Sequence, residues 1–289
     1  MDGIINVYKP LGVTSFDVVK KVMKLAKTKK VGHTGTLDPL AAGVLPICIG
    51  RATKIVDYIM SENKMYVADL MLGIKTDTYD REGTILKKNE VNLSNDEIID
   101  VINTFIGNTM QEPPMYSAIK INGKRLYELA RKGMVVEREK RPISIYDLNI
   151  LDINLPLIRF KVTCSKGTYI RSLCNDIGDK LGVGGTMWNL ERIQTGQFKK
   201  VNSHALEELT SENLESLLTP IDVALESYDK LIFSCKHENL LLNGVKINNP
   251  YIIDKIDFNK LFRVYIDNSK FIGLGKRDEF GFKVVKLLV

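Results

Sequence analysis

Cysteine, histidine and tryptophan are scarce in this chain, and the shortages remove whole classes of chemistry. Its four cysteines (Cys48, Cys164, Cys174 and Cys235) are widely scattered through 289 residues. No two have the short spacing of a zinc site or a dithiol redox motif. Set in apolar stretches, they read as buried, reduced thiols. Three histidines (His33, His204 and His237) are too few for a His-rich metal centre. No apolar run approaches the length that spans a bilayer. Met1–Asn6 lacks the basic-then-apolar pattern of a secretory signal, so a cytoplasmic protein is expected. The glycines match neither a Walker loop nor a dinucleotide fingerprint. The expectation is therefore no metal and no nucleotide cofactor. Internal repeats and low-complexity tracts are missing as well.

What remains is globular in character, with 44% hydrophobic and 26% charged residues. The length exceeds that of a usual single domain and suggests one large domain with a smaller one. A net charge of +6 and a pI near 8.9 suit a polyanionic partner without demanding one. Thr14 and Ser15 offer caps for a helix in which Val18, Val19, Val22, Met23 and Leu25 recur at helical spacing. Residues 29–50, rich in Gly, Thr and Pro, read as a loop. The alternation in 65–72 predicts a strand. Ser94 and Glu97 form a capping box for a helix through Phe105–Ile106 that Gly107 stops. A short helix over 124–132, strands over 143–151 and 157–164, and a helix over 169–181 follow. Helical segments near 204–218 lead to Thr219-Pro220. Beyond Tyr228 the texture becomes short β-runs at 231–234, 261–266, 271–274 and 282–289. There, eleven Lys and Arg stand against seven Asp and Glu. The mixed order of elements predicts an α+β fold, divided as residues 1–225 and a small basic β-domain, 226–289.

Four stretches can carry chemistry. Residues 31–46 place three glycines, His33 and Asp38 together, and glycine permits close backbone approach. Asp-Pro at 38–39 is also an ordinary turn starter. In residues 164–173 a strand ends, Gly167 turns the chain, and Tyr169 and Arg171 sit in the first turn of a helix. The macrodipole favours acidic groups there, so an arginine points to a carboxylate or phosphate partner, or is simply a surface residue. Tyr66 shares a strand face with Ala68, Leu70 and Leu72 and fits a core tyrosine equally well. Residues 119–141 hold Lys120, Lys124, Arg125, Arg131, Lys132, Arg138, Lys140 and Arg141 against three glutamates. That density suits phosphate contacts, or a solvated helix face.

In combination these stretches resemble the TruB family of tRNA pseudouridine-55 synthases, from about residue 3 to residue 200. The matching segments are Lys9-Pro10-x-Gly12-x-x-Ser15, Gly32-His33-Thr34-Gly35-Thr36-Leu37-Asp38-Pro39, and Lys64-Met65-Tyr66 with Gly73 and Thr76-Asp77-Thr78. Pro114–Lys120 and Ser165–Arg171 match as well. The resemblance implies that Asp38 is the catalytic carboxylate and that Tyr66, Tyr169, Arg171 and Leu190 support it. Arg171 would orient Asp38 and hold it ionised. Tyr66 would stack on the target base. His33 would fill the gap left by a flipped uridine. Lys9, Lys120, Lys124, Arg125, Arg131, Lys132 and Arg141 would meet RNA. The partner implied is the T-arm stem-loop of tRNA, the protein acting as a monomer with no membrane partner and no cofactor, and the basic C-terminal unit serving as a PUA-type RNA-binding module. Two positions depart from the family pattern: Thr186 stands where a histidine is common, and Glu191 where Leu190 is usually followed by arginine. Two other readings carry weight. One is an RNA-binding relative without catalysis, against which Asp38, Tyr66 and Arg171 together argue. The other is an Mg²⁺-dependent hydrolase or phosphotransferase built on Asp77 and Asp80, which more plausibly shape a hairpin turn.

Overall fold

Gly3–Lys9 (β1) is buried along nearly its whole length. A computed structural model describes it and the rest of residues 1–121 and 123–289; Asn122, within the basic segment, lies outside the described residues. Ser15–Leu25 (α1) is capped by Thr14 in a reciprocal box with Asp17 and turns Val18, Val19 and Val22 inward. The expected loop over 29–50 proves to contain two strands, Val31–His33 (β2) and Ala41–Ile49 (β3). Burial on both faces makes β3 apolar throughout, so the two-residue alternation that marks a half-exposed strand is erased.

Val56–Ser61 (α2) leads into Lys64–Leu72 (β4), then a hairpin of Ile74–Thr76 (β5) and Ile85–Lys88 (β6). The capping box of Ser94 and Glu97 opens Asn95–Asn103 (α3). This helix ends short of the expected Phe105–Ile106; Gly107, with φ of +115°, instead opens Gly107–Gln111 (β7). Lys120–Ile121 (β8), Lys124–Arg125 (β9) and Leu126–Ala130 (α4) form the basic segment. Arg141–Asn154 (β10), Leu157–Cys164 (β11) and Ile170–Lys180 (α5) agree with expectation to within a few residues. Gly185–Thr195 (β12), Phe198–Lys199 (β13) and His204–Ala205 (β14) complete the main sheet. Helices expected over 204–218 reduce to a single 3₁₀ turn at Leu206–Glu208 and further turns. Thr210 and Asn213 exchange side-chain and backbone hydrogen bonds there, competing with helix formation.

The sheet runs β14-β1-β3-β12-β4-β11-β10-β7, with β2 on β3 and β13 on β12. Pairing is antiparallel except at β1–β14 and β3–β12. This is the α+β, largely antiparallel arrangement expected. The C-terminal unit contains Asp229–Phe233 (β15), Glu238–Leu242 (α6), Pro250–Ile253 (α7), Leu261–Ile266 (β16), Lys270–Asp278 (β17) and Gly281–Leu287 (β18). Its strands follow in the order β15-β16-β17-β18 over a core of Phe233, Leu241, Val264, Ile272 and Phe282. A further cluster joins the two sheets: Leu274 and Leu288 pack with Ile4, Val44, Cys48 and Ile55. Of the cysteines expected to be buried, Cys235 is exposed and the other three are not.

Helix α5 lies against β12 at two glycines. A Cβ on Gly178 would stand 2.0 Å from the Gly185 nitrogen, so helix and strand backbones touch there. Gly178→Ala should destabilise the protein by about 1–3 kcal/mol through overpacking, read from the midpoint of urea unfolding. A midpoint equal to that of the unaltered protein would mean the helix can shift freely.

Candidate active site

Five residues stand in register across the middle of the sheet: Lys9 opposite Gly43, Gly43 opposite Arg192, Arg192 opposite Tyr66, and Tyr66 opposite Val162. Opposed residues in a sheet share a face, so two cations and a tyrosine sit side by side beneath the β2–β3 loop. Gly43 makes the row possible. A Cβ there would meet the Arg192 carbonyl oxygen at 2.2 Å, and its φ of +117° is one that glycine adopts without strain.

The loop carrying Asp38 is tied down at every turn. The Ser15 hydroxyl donates to the Leu37 carbonyl (3.0 Å) and accepts from the Leu37 N–H (2.8 Å). The Gly12 N–H donates to the Pro39 carbonyl at 2.9 Å, and the Ala41 N–H to the Asp38 carbonyl at 3.0 Å. Arg192 donates through Nε to the Val44 carbonyl (2.8 Å) and through Nη2 to the Gly35 carbonyl (3.1 Å). Backbone polar groups of an irregular segment are thus satisfied, which lets the loop stay ordered close to the core.

Asp38 itself points outward. Its side chain is 37% exposed, whereas that of Arg171, whose Nε lies 3.0 Å from Asp38 Oδ2, is only 6% exposed. The guanidinium is held from behind: Nη2 donates to the Tyr116 carbonyl at 2.7 Å, and Nη1 to the Thr78 carbonyl and to Asp80 Oδ2, each at 3.4 Å. Asp80 is fixed in turn by the Thr78 hydroxyl (2.6 Å) and the Glu82 N–H. Tyr169 caps α5, and the Gln111 side chain brackets its backbone, accepting from its N–H (2.8 Å) and donating to its carbonyl (3.0 Å). The result is an oriented, partly exposed carboxylate. It can attack an electrophilic carbon or stabilise a cationic centre.

Burial pushes the Tyr66 hydroxyl up, with Arg192 pulling the other way. The Tyr169 hydroxyl is raised by burial too, opposed by its hydrogen bond with Ser117 and by Arg171. His33 is lowered by burial and then by Arg192. Its Nδ1 accepts from the Gly35 N–H at 3.2 Å, as a neutral imidazole does. Leu190 is buried beside Ala41 and Ala68, on the same face as Arg192 and Tyr66.

Lys120, Lys124, Arg125, Arg131, Lys132 and Arg141 are all exposed, and Arg125 and Arg131 flank the Tyr127 ring at 5.8 and 5.5 Å. Lys9 departs from its expected place on the RNA-facing surface. It is fully buried, with Nζ donating to the carbonyls of Pro10 (2.9 Å) and Val13 (2.7 Å). A strand position in the centre of a covered sheet leaves its ammonium no route to a phosphate. Of the two departures from the family pattern, Thr186 is buried with its hydroxyl on the Ile74 carbonyl at 2.8 Å. Glu191 accepts from the Tyr8 hydroxyl at 2.6 Å and pairs with Lys200 at 2.5 Å. Asp77 accepts from the Thr84 N–H at 2.8 Å, so both Asp77 and Asp80 build the turn. Among the described residues no three His, Cys, Asp or Glu side chains gather as a metal cluster.

Sequence reasoning passed over Arg192 and Gln111, and it weighed Asp80 as a turn residue or a metal ligand but not as a partner of Arg171. For Arg192 one signal was available: a cation alternating with Leu190 in a strand points to the core face rather than to water. Nothing in the sequence marks Gln111.

Residues 21–170 match the family described as "TruB family pseudouridylate synthase (N terminal domain)", and residues 171–226 the "tRNA pseudouridylate synthase B C-terminal domain". The four-stranded C-terminal sheet lies beyond both, yet full-length relatives include it. A protein named tRNA pseudouridine synthase B from Clostridium novyi (strain NT) is 57% identical over 289 residues, covering 100% of both chains. One of the same name from Alkaliphilus oremlandii (strain OhILAs) is 47% identical, covering 100% of this chain and 98% of its own. Among solved structures, a chain of a Cbf5-Nop10-Gar1 complex superposes with a TM-score of 0.78 at 27% identity, over 99% of this chain and 85% of that one. A chain of an H/ACA RNP bound to a substrate RNA containing 2′-deoxyuridine gives 0.76 at 25% identity, over 99% and 85%.

Burial lowers Lys9 to about 8, Asp38 opposing and Arg192 reinforcing the shift; burial likewise lowers Lys64 to about 8. From about pH 8 up to the ordinary lysine range, the unfolded chain holds protons that the folded chain has released, so these groups make stability rise with pH. Lys9→Met should flatten that rise, leaving the share due to Lys64, in urea unfolding followed across the window. An identical slope for the two proteins would show that Lys9 titrates normally.

Proposed function

The chain belongs to the TruB family of pseudouridine synthases and isomerises uridine to pseudouridine in tRNA; we propose that its target is position 55, in the T-loop, and that Asp38 is the catalytic carboxylate. The observation that carries this reading is the Asp38–Arg171 contact of 3.0 Å, with the carboxylate partly exposed and Tyr66 and Leu190 on one face of the sheet. The reaction breaks the N1–C1′ bond, turns the base, and forms a C5–C1′ bond while the proton on C5 leaves and N1 gains one. It is redox-neutral. Attack on C1′, attack on C6 and assistance to C2′ deprotonation all call on the Asp38 carboxylate, and the Arg171 guanidinium at 3.0 Å fixes its orientation.

Tyr66 offers an aromatic face to the extracted base, and stacking contributes roughly 1–3 kcal/mol per base. Flipping costs a few kcal/mol in unstacking, which His33, at the start of the Asp38 loop, offsets by filling the vacated position. The exposed cations Lys120, Lys124, Arg125, Arg131, Lys132 and Arg141 contact phosphates, reading shape more than sequence. Residues 1–225 form the catalytic domain, and residues 226–289 form a PUA-like module that adds to the RNA grip. The protein acts in the cytoplasm as a monomer. None of its described helices is long and apolar enough to cross a membrane.

Asp38→Asn should abolish conversion of a T-arm hairpin, measured by nucleoside mass spectrometry, while binding the RNA about as well as the unaltered protein. Appreciable turnover by the variant would remove Asp38 from its role. Replacing Arg131 and Lys132 together should weaken RNA binding and reduce the salt dependence of log K by up to about 2, one for each phosphate no longer neutralised. An unchanged salt slope would place the RNA elsewhere.

A further inference from the structure

Arg192 is the largest side chain buried completely among the described residues. A buried guanidinium is costly unless oxygens surround it, and an apolar residue of similar size would serve packing better. Among the described residues no carboxylate comes within 4.0 Å of it. Its bonds go instead to two carbonyls, Gly35 and Val44. Those two residues bracket the loop: one precedes Asp38 by three positions, the other follows it by six. One side chain therefore grips both ends of the segment that presents the carboxylate. On the neighbouring strand Tyr66 stands directly opposite Arg192.

We propose that Arg192 is a positioning residue for the isomerisation, holding the Asp38 loop from beneath so that the carboxylate and Tyr66 address the same nucleoside. The inference rests on the reading of Asp38 given above and extends it to a residue that touches neither substrate nor Asp38. A planar fork fits the task, because two carbonyls at an angle need two N–H groups fixed relative to each other. A lysine carries the charge but not the fork. The close approach of β12 to Gly43 belongs to the same device, since it brings the Arg192 side chain within reach of Val44.

The test uses the full-length protein, a T-arm hairpin, and the variants Arg192→Lys, Arg192→Met and Asp38→Asn. Single-turnover rates and RNA dissociation constants are measured separately, with thermal unfolding alongside. A misplacement of about 1 Å at a reacting group costs on the order of 100-fold. Both Arg192 variants should lose rate on that scale while RNA affinity stays within about threefold. A lysine variant that turns over within about threefold of the unaltered protein would overturn the proposal, since charge without the fork would then suffice. So would a loss confined to RNA affinity, or unfolding of both variants, which would leave Arg192 a purely structural residue. If the unaltered protein makes no pseudouridine, or Asp38→Asn still makes it, the failure lies with the underlying reading and not with Arg192.

Discussion

Burying a cation under a sheet is possible only where oxygens converge on it, and that constraint shapes this molecule more than any single apolar contact. Lys9, Arg171 and Arg192 all lie inside, and each is answered by backbone carbonyls, joined at Arg171 by the carboxylates of Asp38 and Asp80. Lys9 takes the carbonyls of Pro10 and Val13, Arg171 those of Thr78 and Tyr116, and Arg192 those of Gly35 and Val44. The carbonyls that answer the two arginines belong to segments remote in sequence, so meeting the demand brings together the glycine-rich loop, the 76–84 turn and the chain after β7. The site is what those meetings leave at the surface.

The two arginines divide the work. Arg171 touches Asp38 from the side, and its Nη2 reaches the Tyr116 carbonyl, just before the basic segment. Arg192 reaches the same loop from below, through the sheet. Asp38 is thus held on two sides while its own carboxylate remains partly exposed. Packed interiors transmit strain, so small shifts in either arginine reach Asp38.

Much of this was legible in the residues. The cap at Thr14, the capping box at Ser94, the strands at β4, β10 and β11 and the helix α5 all follow from periodicity and caps. Asp38 and Arg171 stood out because one sat in an unusual loop and the other at the wrong end of a helix dipole. β3 escaped notice because a strand covered on both faces loses its alternation, and it also carries a glycine and a proline. Lys9 was misplaced for a related reason. A lysine beside a Pro-Gly turn resembles a surface residue until pairing puts it at the centre of the sheet. Gln111 could not be foreseen, because its partner, the Tyr169 backbone, is defined only by the tertiary fold.

The apolar cluster that Leu274 and Leu288 share with Ile4, Val44 and Cys48 has a geometric meaning for the spacing of the two sheets. Val44 is also the residue whose carbonyl receives Arg192. The far sheet is therefore seated on the back of the strand that follows the Asp38 loop. The distance between that sheet and the loop is set by packed side chains rather than by a tether.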